Sequence, residues 1–182
     1  MSTTWTSLLE LFDFSSQRLF DRLHGLTEEE YFWKPTSSAW TIHENSGLWS
    51  VDGEAQRGHE APVTTIAWRL HHLSHLVYFG FAQWFEDRSN PYRASDVVPT
   101  SAREGVDLFH AYHKRLRTAL ATFPHDELGT ALGDMFGPFA SSNGYDLALH
   151  VVDEHIHHAA EIALLRDLYR DRAEFGSKVT TA

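Results

Sequence analysis

Two groups of histidines, far apart in the chain, are the side chains best suited to chemistry. The 182 residues include thirteen histidines, and histidine is both a common metal ligand and the usual general base near neutral pH. The first group is His71, His72 and His75, and the second lies between residues 150 and 158. Because the chain contains no cysteine, disulfides, thiolate ligands and a cysteine nucleophile are excluded.

In the second group, His150, Glu154 and His158 are spaced four residues apart, and His157 follows Glu154 by three. In a helix these spacings place side chains on one face, so that two of them can bind one metal ion. A competing interpretation is that Glu154 pairs with a histidine or an arginine of another helix, because a buried carboxylate needs a partner. The apolar residues that turn this face inward are Leu147, Val151, Ile162 and Leu165.

A third ligand must come from another helix, and the first histidine group can supply it. His72 and His75 lie about one turn apart, and spacing alone does not choose between them. Two histidines and one carboxylate with open coordination positions are typical of a catalytic metal site. Zn²⁺ fits this set best, and Ni²⁺, Fe²⁺ or Mn²⁺ also fit, because nitrogen and oxygen ligands discriminate poorly among these ions.

Apolar periodicity and capping patterns predict an all-α fold, a four-helix bundle in a single domain over residues 1–172. A short helix capped by Thr27 and ended by Pro35 follows the first long helix, and a flexible tail is expected over 173–182. No segment shows the alternation of a strand. The long helices are predicted from Thr4 to His24, from Thr64 or Thr65 to Phe85, from Thr100 or Ser101 to Pro124, and from about Asp146 to Arg172.

Two long loops, 36–62 after the first helix and 125–145 after the third, have no regular period. Loops of this length inside a compact domain are often functional, and these are expected to shape a substrate pocket at one end of the bundle. Their candidate wall residues, for which core packing is the alternative role, are Trp40, Trp49, Phe136 and Phe139.

Composition excludes several classes of function. The formal net charge of −10 opposes binding to the phosphates of nucleic acids. No apolar run approaches 18 residues, so no membrane span is expected. The N-terminal residues show neither the basic nor the apolar region of a signal peptide, and we therefore expect a cytoplasmic protein.

Three segments, residues 26–33, 66–73 and 154–162, resemble the DinB-like superfamily of metal-binding four-helix bundles. In that family the first ligand is a histidine four residues after a tryptophan, here Trp68 and His72. The other two ligands lie four apart on the last helix and here fall on Glu154 and His158. The resemblance thus implies the metal ligands His72, Glu154 and His158, a His-Glu-His set similar to the mycothiol-dependent maleylpyruvate isomerase branch.

The resemblance also implies an up-down-down-up helix order, frequent homodimers, and transfer or isomerisation of a small-molecule substrate with a low-molecular-weight thiol such as mycothiol or bacillithiol. With no cysteine in the chain, the sulfur must come with that cofactor. The alternatives are a hydrolase that uses metal-bound hydroxide, or a non-enzymatic stress protein that binds a metal or small ligand. A di-iron site is a poorer match, since Glu-x-x-His occurs here only at Glu154–His157.

The remaining histidines have separate expectations. His155 is expected to face solvent. His157 could support the ligands, and His150 and His75 could orient a ligand or contact substrate, because each lies within one turn of a candidate ligand.

Overall fold

The computed structural model describes residues 3–53, 63–88 and 93–176. Its helices are α1 (Thr3–Leu23), α2 (Glu28–Tyr31), α3 (Ile66–His71), α4 (Phe79–Glu86), α5 (Ala102–Thr122), α6 (Gly144–Arg170) and α7 (Arg172–Gly176). A π-helical segment, His72–Tyr78, joins α3 to α4, and the strands are β1 (Ile42–Asn45) and β2 (Leu48–Val51). Short 3-10 turns cover His125–Glu127 and Asp134–Phe139.

The second long helix of the bundle is therefore α3, the π segment and α4 in succession. It runs antiparallel to α6. His72, in its first half, contacts Glu154 in the middle of α6, and its later part lies beside an earlier part of α6. There the rings of Phe81 and His150 lie 5.6 Å apart. By contrast α1 and α6 run parallel: Trp5 lies 6.0 Å from Tyr145 between ring centroids near the start of both helices, and Arg22 pairs with Asp167 farther along both.

The second long helix also runs parallel to α5. His75 faces Tyr112 with ring centroids 5.4 Å apart, and farther along both helices Trp84 stacks on Phe123 at 5.2 Å. The order of the four long helices is thus up-down-down-up, and the predicted all-α bundle is confirmed. In the interior, the largest fully buried side chains include Trp5, Phe12, Tyr31, Tyr78 and Phe109.

Local chemistry explains where the helices begin. The side chain of Ser101 accepts a hydrogen bond from the backbone N–H of Glu104, and that of Asn143 accepts from the backbone N–H of Asp146. Each satisfies a donor that the first helical turn leaves unpaired. The α6 helix begins at Gly144, slightly before the predicted start near Asp146, because Asn143 and Asp146 form a reciprocal capping box.

The π segment departs from the predicted continuous α-helix. It brings Leu73, His75, Val77 and Tyr78 into the interior, and Ser74 Oγ donates to the carbonyl of Leu70 at 2.6 Å. The wider turn changes which side chains face the bundle, an effect that apolar periodicity does not reveal. Such segments are rare and occur frequently at functional sites.

A β-hairpin inside the first long loop corrects the expectation that no strand is present. Strands β1 and β2 pair antiparallel, with Ile42 opposite Val51 and Asn45 opposite Leu48. Ser46 and Gly47 have φ angles of 54° and 84°, which matches the two-residue turns that join twisted strands. Strands this short carry too little alternation to be recognised from sequence.

Two further predictions concern the ends of the chain and the membrane. The predicted tail begins within the short helix α7, and residues 177–182 lie outside the described residues, as do 54–62 of the first loop. Across the parts of the chain that are described, no helix combines the length and the apolar character needed to cross a membrane.

Candidate metal centre

Three side chains converge where α6 crosses the beginning of the π segment. One carboxylate oxygen of Glu154, Oε2, lies 3.1 Å from Nε2 of His72 and 3.2 Å from Nε2 of His158. The rings of His72 and His158 meet almost at right angles, with centroids 4.8 Å apart. One nitrogen or oxygen atom from each side chain lies within 4.8 Å of the other two, so the three form a group that could hold a metal ion.

The group lies at the edge of the bundle. The side chain of His158 is 7% exposed, whereas those of His72 and Glu154 are 22% and 24% exposed. One side is therefore packed against the interior and the other is open to solvent. An open side matches metal sites that keep a coordination position for a substrate, because structural sites are usually closed by protein ligands.

A second carboxylate stands behind His158. Glu161 Oε2 lies 2.6 Å from Nδ1 of His158, and the guanidinium of Arg69 lies 2.9 Å from the same oxygen. A carboxylate on the far nitrogen orients an imidazole and makes its other nitrogen more basic, as is usual for metal-ligating histidines. Here the nitrogen directed at Glu154 is Nε2.

The charges in the group influence one another strongly. Hydrogen bonds with His158 and His72 hold the pKa of the Glu154 carboxyl far below its usual range. For His158, burial lowers the pKa, but the hydrogen bonds with Glu154 and Glu161 outweigh burial and raise it. Without metal, the ring of His158 therefore lies between two carboxylates, which favour its protonated form. Glu154 is also paired with histidines, as the competing interpretation of the sequence predicted.

His72 is held from its other side by aromatic packing. The indole of Trp68, one turn earlier, stacks on the His72 ring with centroids 5.3 Å apart and planes 8° from parallel. Trp68 Nε1 donates to the carbonyl of Asp52, just after β2, at 2.7 Å, and Trp40 packs against the same indole at 5.6 Å. The first long loop thus supports this ligand position through Trp68.

The other histidines near the group differ in placement. His75 is 1% exposed, and its Nδ1 lies 3.1 Å from the carbonyl oxygen of His71, so its side chain does not join the group. His157 is 63% exposed and lies 3.4 Å from Glu161. His150 is exposed, and one of its nitrogens lies within 4.8 Å of carboxylate oxygens of Asp153 and Glu154.

The expectation for His155 was wrong, because this residue is fully buried. The hydroxyl of Tyr78 hydrogen-bonds to Nδ1 of His155, and Ser16 Oγ lies 3.4 Å from its Nε2 and 2.7 Å from Nε2 of His113. Each long helix supplies one member of this core cluster of Ser16, Tyr78, His113 and His155. The signal that could have found His155 is its spacing of three and seven residues from the apolar residues Val152 and Ile162.

The core cluster is electrostatically unlike the candidate metal centre. Burial lowers the pKa of His155 to about 4, and burial together with the neighbouring His155 lowers the pKa of His113 to about 4. Burial raises the pKa of Tyr78 well above its ordinary value. At neutral pH these four residues therefore form an uncharged hydrogen-bonded network in the bundle core.

The candidate wall residues of the two loops separate into two pairs. Phe136 and Phe139 line a cavity beside His150. Trp40 packs against Trp68, which stacks on His72. The ring centroids of Trp49 and Phe32 lie 5.9 Å apart.

Comparison with known protein families agrees with this architecture. The profile of the DinB superfamily matches residues 48–162, more than half of the chain, and the protein belongs to that superfamily. The match contains His72, Glu154 and His158. No curated protein and no solved structure matches the chain significantly.

Proposed function

We propose that His72, Glu154 and His158 bind one divalent metal ion, with Zn²⁺ as the preferred ion, and that the site serves a thiol-dependent S-transferase or isomerase. The observation that carries the proposal is the approach of two histidine nitrogens, from different helices, to one oxygen of Glu154. A bound metal would supply Lewis acidity, which lowers the pKa of a coordinated thiol or water.

The arrangement favours a metal site over a simple ion pair for two reasons. Glu161 orients His158 from behind, which an ion pair between His158 and Glu154 does not require and which metal-ligating histidines commonly show. In addition, the side of His72 and Glu154 that faces solvent leaves room for a further ligand. Two imidazoles and one carboxylate suit Zn²⁺, and Ni²⁺, Fe²⁺ and Mn²⁺ are the alternatives.

The thiol part of the proposal depends on composition and on resemblance. The chain has no cysteine, so any reactive sulfur must arrive with a cofactor such as mycothiol or bacillithiol. The carboxylate at Glu154 resembles the ligand set of the mycothiol-dependent maleylpyruvate isomerase branch. The residues of this chain would position the thiol: Trp68 fixes His72 by stacking, and Glu161 fixes His158.

Metal binding is tested first, with untagged protein. We expect one equivalent of divalent metal per chain, and loss of that metal in His72→Ala. The matched control is His24→Ala, which removes an exposed histidine outside the group and should leave the metal content unchanged. Metal content that is equal in both variants would contradict the proposed site.

Thiol dependence is tested with metal-loaded protein. We expect a heat of binding on titration with mycothiol or bacillithiol, and transfer of that thiol to a model electrophile. His72→Ala should lose both. Neither binding nor transfer with either thiol would contradict the thiol chemistry, and turnover without any thiol would identify a hydrolase instead.

A further inference from the structure

A cavity of about 440 Å³ lies between α4, α6 and the second long loop. Its size falls within the range of roughly 300–1,000 Å³ that is typical of small-molecule pockets. Among the described residues, the lining is mainly apolar and aromatic, and its polar members are Ser142, Asp146 and His150. The residues that matter for the argument are Phe81, Met135, Phe136, Phe139, Leu147 and His150.

The walls are arranged for a flat apolar group. The rings of Phe81 and Phe136 are stacked, 27° from parallel, with centroids 6.4 Å apart. At the mouth, Met135 and Phe139 are 41% and 65% exposed. Large apolar side chains that remain exposed around a cavity often mark a place where a ligand covers them.

The loop that carries these side chains has a defined base. The backbone N–H of Leu132 donates to the carbonyl of Ser142 at 2.8 Å, and that of Gly133 donates to Ala140 at 3.1 Å. At the tip, Gly137 has a φ of 55°, a conformation that glycine adopts without strain. The loop therefore presents its apolar tip to the cavity as a built wall.

His150 connects the cavity to the candidate metal centre. Its ring contacts Phe81 at 5.6 Å between centroids, and one of its nitrogens lies within 4.8 Å of a carboxylate oxygen of Glu154. On α6, His150 precedes Glu154 by four residues, which is about one turn. His150 therefore borders both the cavity and the candidate metal centre.

We propose that this cavity binds an uncharged aromatic part of the substrate, whose reactive end reaches His72, Glu154 and His158, and that His150 is the polar contact at the boundary. The carboxylate of Asp146 opposes an anionic group, the mainly apolar lining favours an uncharged one, and the stacked phenyl rings favour an aromatic one. The orientation toward the metal rests on the proposed function, whereas binding of an aromatic ring in the cavity does not.

Met135 offers a direct test, because the chain has only two methionines. In metal-free protein labelled with ¹³C at the methionine methyl groups, benzyl alcohol should shift the Met135 signal saturably; the variant Met135→Leu assigns that signal. Phe136→Ala should weaken binding roughly tenfold or more, since it removes one wall of the cavity. The matched control Leu164→Ala, an exposed residue on α6 outside the cavity, should bind like the wild type.

No saturable shift of Met135, or an affinity for benzyl alcohol in Phe136→Ala equal to that of the wild type, would overturn the cavity as an aromatic site. The orientation is tested in zinc-loaded protein with two hydroxamates that share a metal-binding head. 3-Phenylpropanohydroxamate should bind about tenfold more tightly than acetohydroxamate, and Phe136→Ala should abolish that difference.

The outcomes separate the two proposals. Equal affinity of the two hydroxamates would overturn the orientation of the cavity ligand toward the metal ligands. Failure of both hydroxamates to bind, together with a Met135 shift by benzyl alcohol, would support the cavity and overturn the open coordination position of the proposed metal site.

Discussion

The candidate metal centre and the core cluster both contain a histidine of α6, and the pKa of the histidine is shifted in opposite directions in the two groups. His158 lies between two carboxylates, which raise its pKa. His155, three residues earlier, is bonded to Tyr78 and Ser16, and its burial lowers its pKa to about 4. Partner and solvent exposure, rather than residue type, therefore decide in which direction the pKa of a histidine is shifted.

The comparison also explains why the two groups have different physical roles. An uncharged network in the core joins all four long helices through hydrogen bonds, so it contributes to stability and to helix register. The candidate metal centre concentrates charge at an open edge, an arrangement that is useful when a cation neutralises it. Substitutions at neighbouring positions of α6 should separate these roles.

The largest expected effect is on metal affinity. Glu154→Gln should weaken Zn²⁺ binding by more than about 100-fold, because it removes a charged ligand and even indirect support of a ligand is worth roughly 10–100-fold. His155→Gln, at the next position, should change the affinity only slightly. Competition with a chromophoric chelator measures both. Equal losses in the two variants would remove the distinction between the two regions.

A substitution in the core cluster should lower stability more than a substitution at the surface of α6. His155→Ala should lower the free energy of unfolding of metal-free protein by about 2–4 kcal/mol, because it leaves a cavity and an unpaired Tyr78 hydroxyl in the core. The matched control His157→Ala removes an exposed side chain and should cost less than about 0.5 kcal/mol. Urea denaturation measures both. A loss under 1 kcal/mol for His155→Ala would show that the network contributes little.

Metal-free protein should lose stability as the pH falls from 6.5 to 4. In the folded protein the pKa of His113 is lowered from 6.5 to about 4, so in this window the unfolded chain binds protons that the folded protein does not. At 1.36 kcal/mol per pKa unit, such a depression corresponds to on the order of 3 kcal/mol. This stability is fully present above pH 6.5 and is lost as the pH falls toward 4.

The candidate metal centre should change the pH dependence of stability in the opposite direction. Because the pKa of His158 is raised, the contribution of His158 to the free energy of unfolding of metal-free protein is complete below pH 6.5. It is lost as the pH rises through the raised pKa. Urea denaturation across pH 4–8 tests both signs. His113→Asn should flatten the acid side of the curve, and His158→Asn should flatten the side above 6.5. An unchanged acid slope in His113→Asn would contradict the role of burial.

The smallest of these effects is expected at Glu161, which contacts the proposed ligand His158 but is not itself a proposed ligand. Glu161→Gln keeps the shape of the side chain but removes the carboxylate charge next to Nδ1 of His158. Zn²⁺ affinity should fall by roughly 10–100-fold, less than in Glu154→Gln. The control is Glu174→Gln, a substitution at an exposed acidic residue of α7. Unchanged Zn²⁺ affinity in Glu161→Gln would indicate that the carboxylate of Glu161 is not needed to orient His158.

Much of the helical architecture could be predicted from sequence. Apolar spacing identified the long helices because each must bury one stripe, and Ser101 could be identified as a cap because its side chain satisfies a local backbone donor. The hairpin at 42–51 was missed, because four-residue strands show almost no alternation. The π segment was missed as well, since apolar spacing does not distinguish its wider turn from that of an α-helix.

For the candidate site, the sequence by itself determined which residues of α6 could act together: Glu154 and His158 lie one turn apart in any helix that contains them. The choice of His72 over His75 came from the family resemblance. Only the tertiary structure placed the His72 nitrogen beside Glu154 and buried His155. Spacing along one helix is local geometry, whereas pairing between helices depends on how four separate stripes pack against one another.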